Sequence, residues 1–206
     1  MYPGLDTLGY LGLITGPMFS GKTSKLLDIY KHYTFCEIPV VVINHESDNR
    51  YSNTELSTHD GRKIPCIKGM DLTTISFTHS LQIQASRVIL INEGQFFNDI
   101  VSWVKEKVDI DNKIVFISGL DGDFNRQGFG TWLDLIPICD NLIKLTALCS
   151  NCKQRSGIFT QRITSDTNQI LIGTEQYIPV CRQCYLTNEH NKNKSKNIKK
   201  IREDLT

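Results

Sequence analysis

The stretch "ITGPMFSGKTSKLLDIY", residues 14–30, constrains this chain more than any other. Gly16-Pro17-Met18-Phe19-Ser20-Gly21-Lys22-Thr23 satisfies G-x-x-x-x-G-K-[ST] at every fixed position. The glycines let the backbone curl until successive N–H groups converge on one point, and the helix that follows adds the positive end of its dipole. Lys22 then reaches the outer phosphates of a nucleotide, and the Thr23 hydroxyl sits on Mg²⁺. The motif needs a strand before it and a helix after it. "LGYLGLITG" (8–16) reads as the strand, and Leu26, Leu27, Ile29, Tyr30 and Tyr33 fall at helical spacing from Thr23 to about Phe35. The alternative is a glycine-rich turn that holds nothing.

Three further apolar runs predict strands. They are "IPVVVINHE" (38–46), "RVILINEGQFF" (87–97) and "NKIVFISGLDGDF" (112–124), with a helical pattern at 99–108 between the last two. Runs without alternation belong to strands covered on both faces. Strands alternating with helices predict an α/β fold of the P-loop NTPase type: a parallel sheet flanked by helices, with ligands at the carboxyl ends of the strands. The polar, breaker-rich segment 47–63 reads as a loop.

At the end of the third run stand Asn92 and Glu93. P-loop enzymes usually place an Asp here to help hold Mg²⁺. An asparagine amide oxygen can orient a metal-bound water but adds no charge. Glu93 is a candidate general base, able to take a hydroxyl proton as phosphate is transferred. The alternative is an acid that favours a helix N-terminus.

Past Lys144 the character changes. Cys149-x-x-Cys152 and Cys181-x-x-Cys184 bracket short strand-like segments. Two such pairs complete a closed Cys₄ set for a structural Zn²⁺, and a redox pair or two disulfides are the alternatives. Cys36, Cys66 and Cys139 lie in apolar sequence and read as core thiols. The expected organisation is a nucleotide-binding α/β domain at 1–144, a small zinc-binding β subdomain at 145–187, and a mobile polar tail at 188–206. The tail carries six Lys/Arg against three Asp/Glu.

Formal net charge is +1, and no basic stripe with interleaved aromatics exists outside the tail. This argues against a P-loop ATPase working on nucleic acid through a zinc ribbon. No run of about 18 apolar residues predicts a membrane span. The N-terminal "MYPGLDTLGYLGLITG" has no basic start, so the expected location is cytoplasmic, in keeping with thiols kept for a metal.

Together "GPMFSGKT", "DNRYS" followed by "STHDG", "NEGQFF", "SGLDGDFNRQGFG" and the two Cys pairs with "YIPVCRQCY" resemble the zinc-containing P-loop thymidine kinase family. The motifs occur in the family's order, and the likeness runs from about Gly12 to Tyr185. The resemblance implies transfer of the γ-phosphate of ATP to the 5′-hydroxyl of thymidine, with Glu93 as base. It implies nucleotide and Mg²⁺ contacts from residues 16–23 and from Asp48, Arg50, Asn92 and Gln95. For the nucleoside it implies Phe124 stacked on the thymine ring, with Met18, Leu120 and Phe129 around it. The segment from Ser156 to Pro179 corresponds to the family's lasso loop, which closes over the nucleoside; Thr160, Arg162, Ile172 and Tyr177 are its implied contacts. The family is typically a homotetramer inhibited by thymidine triphosphate. Asn92 departs from the family's usual Asp, which motivates a rival reading: a nucleotide-binding protein that has lost its chemistry.

Overall fold

The computed structural model describes residues 3, 8–48, 54–58, 61–164, 166, 168, 169 and 173–191. In chain order the first elements are β1 (Tyr10–Thr15), α1 (Lys22–Phe35), β2 (Val40–His45), β3 (Glu55–Ser57), β4 (Lys63–Pro65), β5 (Ile67–Gly69), α2 (Leu72–Thr78) and α3 (Ser80–Ala85). They are followed by β6 (Val88–Asn92), α4 (Ile100–Lys105), β7 (Ile114–Gly119) and β8 (Asn141–Lys144). Six strands form one sheet in the order β5-β2-β6-β7-β1-β8, and the pairings along it are parallel. The predicted α/β architecture is the observed one.

The sheet is apolar on both faces. Leu11, Leu13, Ile89, Ile91, Val115 and Ile117 point to one side, where Ile100, Trp103 and Trp132 cover them. Ile14, Val88, Leu90, Ile114 and Phe116 point to the other and meet Leu26, Leu27, Ile29 and Tyr33 of α1. Alternate residues therefore enter different cores, which is why these strands read as unbroken apolar runs.

Several expectations are corrected. The third strand stops at Asn92 rather than at 97, because Glu93 takes a left-handed conformation (φ 56°) and opens a 3-10 turn over Gly94–Phe96. The helix expected at 99–108 is α4, which runs on into a π-helical turn, Glu106–Ile110. The strand expected at 112–124 covers only Ile114–Gly119. Segment 47–63 is not all loop: β3 and β4 pair antiparallel, and their single inward residues, Leu56 and Ile64, join the α1 core. Cys36 is exposed just beyond α1 and is not a core thiol, whereas Cys66 and Cys139 are partly buried and pack against the edges of the two cores.

The Cys-bracketed part consists of two antiparallel ribbons. One pairs β9 (Ala147–Leu148) with β10 (Ser156–Gly157); the other pairs β11 (Phe159–Arg162) with β12 (Tyr177–Val180). A helical stretch, 182–191, follows. The expected tail thus begins inside that stretch, and 192–206 lie outside the described residues.

Candidate active site

Loops at the carboxyl ends of β1, β2, β6 and β7, together with the ribbon β11–β12, enclose a cavity of about 440 Å³. That volume suits a small-molecule site. Its phosphate end is the loop at 16–23. Gly16 (φ 151°), Phe19 (φ 64°) and Gly21 (φ 83°) all turn through positive φ, which curls the backbone. A Cβ on Gly16 would lie 2.5 Å from the Leu145 carbonyl oxygen and 2.8 Å from Ser20 Oγ. The first turn of α1 carries no acid, so its dipole is left for an outside anion. Lys22 is buried, and its ammonium donates to the Pro17 carbonyl oxygen at 2.7 Å. Ser20 Oγ is buried with no hydrogen-bond partner among the described residues. Residues 18–24 line the cavity; Gly16 and Pro17 shape the loop behind it.

At the end of β6, the Asn92 carboxamide accepts from Ser118 Oγ (2.8 Å) and from Thr23 Oγ1 (3.5 Å), and donates to Asn44 Oδ1 (3.0 Å). Asn44 donates onward to Asp48 Oδ2 (3.1 Å). Asp48 lines the cavity and Asn92 sits behind it, about 1% exposed. Thr23 and Asp48 bring oxygen atoms to the cavity wall, the ligand type a hard divalent cation takes, and the Asn92 carboxamide supports the Thr23 hydroxyl from behind.

Glu93 lines the same cavity. Its side chain makes no cap bond to the turn it precedes; instead Gln95 Nε2 donates to Glu93 Oε2 at 2.6 Å. Gln95 is buried and accepts from the Leu120 N–H at 3.0 Å, and Trp132 Nε1 donates to the Leu120 carbonyl at 3.0 Å. Gln95, expected as a nucleotide contact, thus ties Glu93 to the start of the loop after β7.

The other end of the cavity is apolar and aromatic: Met18, Phe96, Leu120, Phe124, Phe129 and Tyr177. Phe96 meets Phe129 edge to face with centroids 5.4 Å apart. Thr160 also lines the cavity, and its hydroxyl accepts from the Met18 N–H at 3.0 Å, joining the ribbon to the phosphate loop. Arg162 is placed differently from its expected role as a contact. It does not line the cavity. It is 2% exposed, lies 3.9 Å over the Phe124 ring, and donates to the carbonyls of Asp166, Asn168 and Gln169 and to the Tyr177 hydroxyl. Arg50 and Ile172 lie outside the described residues.

Lining residues not singled out from the sequence include Ser47, Thr58, Phe96, Asp123 and Gln169. Asp123 accepts from the N–H groups of Asn125 and Gln127, both at 2.9 Å, and from Gln169 Nε2 at 3.0 Å. The acid-glycine cluster "LDGDF" was its visible signal. Nothing in the sequence marks Gln169.

The sulfurs of Cys149, Cys152, Cys181 and Cys184 all lie within 4.8 Å of one another. The Cys152 and Cys181 sulfurs are 4.0 Å apart, about twice a disulfide bond, so these are thiols around a centre. Burial raises the Cys149 thiol, but N–H groups of Cys152, Cys181 and Asn151 outweigh it and bring it down to about 6. Cys184, sharing its proton with Cys181 and partly desolvated, is pushed up to about 12. Only a cation at the centre lets all four ionise together, so the cluster fits a structural zinc.

Comparison with known proteins agrees with this geometry. The sequence profile described as Thymidine kinase matches residues 9–185. The chain is 41% identical over 184 residues to Thymidine kinase a of Arabidopsis thaliana, covering 87% of this chain and 76% of that protein. It is 43% identical over 183 residues to a thymidine kinase of Oryza sativa subsp. japonica, covering 86% and 66%. It is 38% identical over 179 residues to the Variola virus thymidine kinase, covering 86% and 97%. The chain belongs to the thymidine kinase family, a kinase family that uses ATP and a divalent metal to phosphorylate thymidine.

Proposed function

We propose that Glu93 is the base of this reaction and takes the proton of the thymidine 5′-hydroxyl as the γ-phosphate passes to it. One observation carries the assignment. A single cavity is lined by Lys22 and Thr23, by the aromatic group Phe124, Phe129 and Tyr177, and by a Glu93 carboxylate fixed through Gln95. The phosphate loop binds the nucleotide through N–H groups, Lys22 leaves the Pro17 carbonyl to neutralise the outer phosphates, and Thr23 with the oxygens behind it holds Mg²⁺. The metal supplies charge neutralisation on the phosphates. Phe124, its far side braced by Arg162, is the stacking surface for thymine, with Met18, Leu120 and Phe129 around it.

The lasso loop, pinned by the zinc cluster, closes over the nucleoside and excludes water. Tyr177 faces the sugar, and Arg50 and Ile172 are assigned by resemblance. The division at 144–145 separates catalytic platform from lid. Thymidine triphosphate fits the same site as a feedback inhibitor, since its base and phosphates match the two ends of one cavity. A cytoplasmic homotetramer is the expected state. No helix among the described residues is long and apolar enough to cross a membrane.

The test is phosphate transfer from ATP to thymidine with Mg²⁺, comparing wild type with Glu93→Gln. Loss of a general base is worth about 10²–10⁴ in kcat, with ATP binding and zinc content unchanged. Wild-type turnover in Glu93→Gln would remove the base from Glu93.

A further inference from the structure

Asn44 and Asn92 occupy paired register positions on β2 and β6, and both are about 1% exposed. Their carboxamides touch directly, and the chain of hydrogen bonds continues at both ends. It runs from Asp48 Oδ2 to Asn44 Nδ2 (3.1 Å), from Asn44 Oδ1 to Asn92 Nδ2 (3.0 Å), and from Asn92 Oδ1 to the hydroxyls of Ser118 (2.8 Å) and Thr23 (3.5 Å). A carboxamide can face either way, but a carboxylate can only accept. Asp48 therefore requires the NH₂ of Asn44. That turns the Asn44 oxygen to Asn92, which requires the NH₂ of Asn92 and turns the Asn92 oxygen to Thr23. Lys68 Nζ, donating to the Asp48 carbonyl at 2.7 Å, ties down the turn from which the chain starts.

We infer that Asp48, acting through Asn44, sets which end of the Asn92 carboxamide faces Thr23, and that Asn44 is thereby a positioning residue for the divalent metal held with the nucleotide. This rests on the nucleotide-binding part of the proposed function. A hydroxyl that gives a lone pair to a metal must send its proton elsewhere, and Asn92 Oδ1 is an acceptor within its reach. Reversed, Asn92 would present NH₂ to Thr23 and compete for that same lone pair. The relay also accounts for a neutral residue at 92. A carboxylate there would meet the Asn44 oxygen at about the present 3.0 Å, two acceptors with no proton between them. Asn92→Asp alone should accordingly weaken the metal site, although it adds negative charge.

The experiment measures equilibrium binding of a fluorescent ATP analogue with and without Mg²⁺, in the absence of thymidine. The proteins are wild type, Asn44→Ala, Asn92→Asp and the double variant, each zinc-loaded and melting cooperatively. Wild type should bind tighter with Mg²⁺. Asn44→Ala should lose roughly tenfold of that gain, a step of about 1.4 kcal/mol, with metal-free binding unchanged. On the Asn92→Asp background the same change should act in the opposite sense and restore part of the gain, because the facing oxygen is gone. The metal-free melting temperatures should show the same reversal. Asn44→Ser, too short to span both neighbours, serves if Asn44→Ala does not fold. Equal effects of Asn44→Ala on both backgrounds, equal losses with and without Mg²⁺, or no Mg²⁺ dependence in wild type would overturn the inference. A wild type that binds the analogue with Mg²⁺ but never phosphorylates thymidine would overturn the kinase reading instead and leave the relay standing.

Discussion

The two ends of the cavity are built on different physics. The phosphate end stands on a parallel sheet whose strands are buried on both faces, so its loops are held by burial of large apolar cores. The nucleoside end is half made by ribbons whose own buried cluster is Cys149, Val180, Cys181 and Tyr185. So small a core cannot stabilise a fold unaided. A four-cysteine cluster that fits a structural zinc and one buried guanidinium stand in its place. On the proposed reading, the charged part of the ligands lies on the sheet's loops and the neutral part under the ribbons, so one end can open without loosening the other.

The comparison breaks most sharply at the zinc. Cys181→Ser, or removal of zinc by a chelator, should abolish thymidine phosphorylation while ATP-analogue binding stays within a few-fold of wild type. A structural zinc contributes roughly 10 kcal/mol or more, far beyond what this cluster could lose and remain folded. Zinc content by atomic absorption, read beside binding and turnover, checks it. Turnover surviving without zinc would show that the lid stands on packing after all.

Arg162 sharpens the same contrast at smaller magnitude. It holds three carbonyl oxygens of the lasso and the Tyr177 hydroxyl, and braces the back of Phe124. Hydrogen bonds to a charged group are worth roughly 1.5–3 kcal/mol each. Arg162→Met should therefore raise the thymidine KM about ten- to a hundredfold and leave the ATP KM near wild type. A parallel rise in both constants would mean that the guanidinium also supports the phosphate end, through Thr160 on its own strand and Met18 on the loop that Thr160 meets.

How much was legible follows the same divide. The sheet, its parallel sense and the phosphate loop are written in local patterns: apolar runs, a glycine spacing, a helical period. The four clustered cysteines are equally plain, since two short spacings suffice. What stayed hidden depends on long-range contact or on very short elements. The hairpin β3–β4 buries one residue per strand, too few to show a period. The 64–86 region, with β5, α2 and α3, has elements of three to seven residues and gave no reading. The resemblance points to Gln95 and Arg162, but not to the protein groups they bind: Glu93 and the Leu120 N–H for one, lasso carbonyls and the Phe124 ring for the other. A long polar side chain written in sequence does not say whether its head group meets ligand or backbone carbonyls. Gln169 and Asn44 were missed because their significance is a partner more than forty positions away.

The smallest expected effect concerns His45, at the junction of core and site. It is 4% exposed and packed against Phe96 and Phe97, with centroids at 5.3 and 4.8 Å. Its Nδ1 accepts from the Ser47 N–H at 3.1 Å, which makes Nε2, 3.2 Å from the Met70 carbonyl oxygen, the protonated nitrogen. Burial pushes its pKa below the ordinary 6.5; the Met70 carbonyl and the charges of Glu46 and Glu93 pull the other way and are outweighed. The unfolded chain therefore takes up the proton first as pH falls. Stability from this group is complete above about 6.5, declines as pH drops toward the lower folded value, and is flat below it. Protonation removes the Nδ1 lone pair, frees the Ser47 N–H and loosens the turn that carries Asp48. The loss should appear as a lower Tm at pH 5 than at pH 7. His45→Asn, which keeps an acceptor for Ser47 but cannot titrate, should have a lower Tm at pH 7 and a shallower decline. An unchanged slope in that variant would assign the acid sensitivity to groups outside this turn, and with it the link between core protonation and the phosphate end.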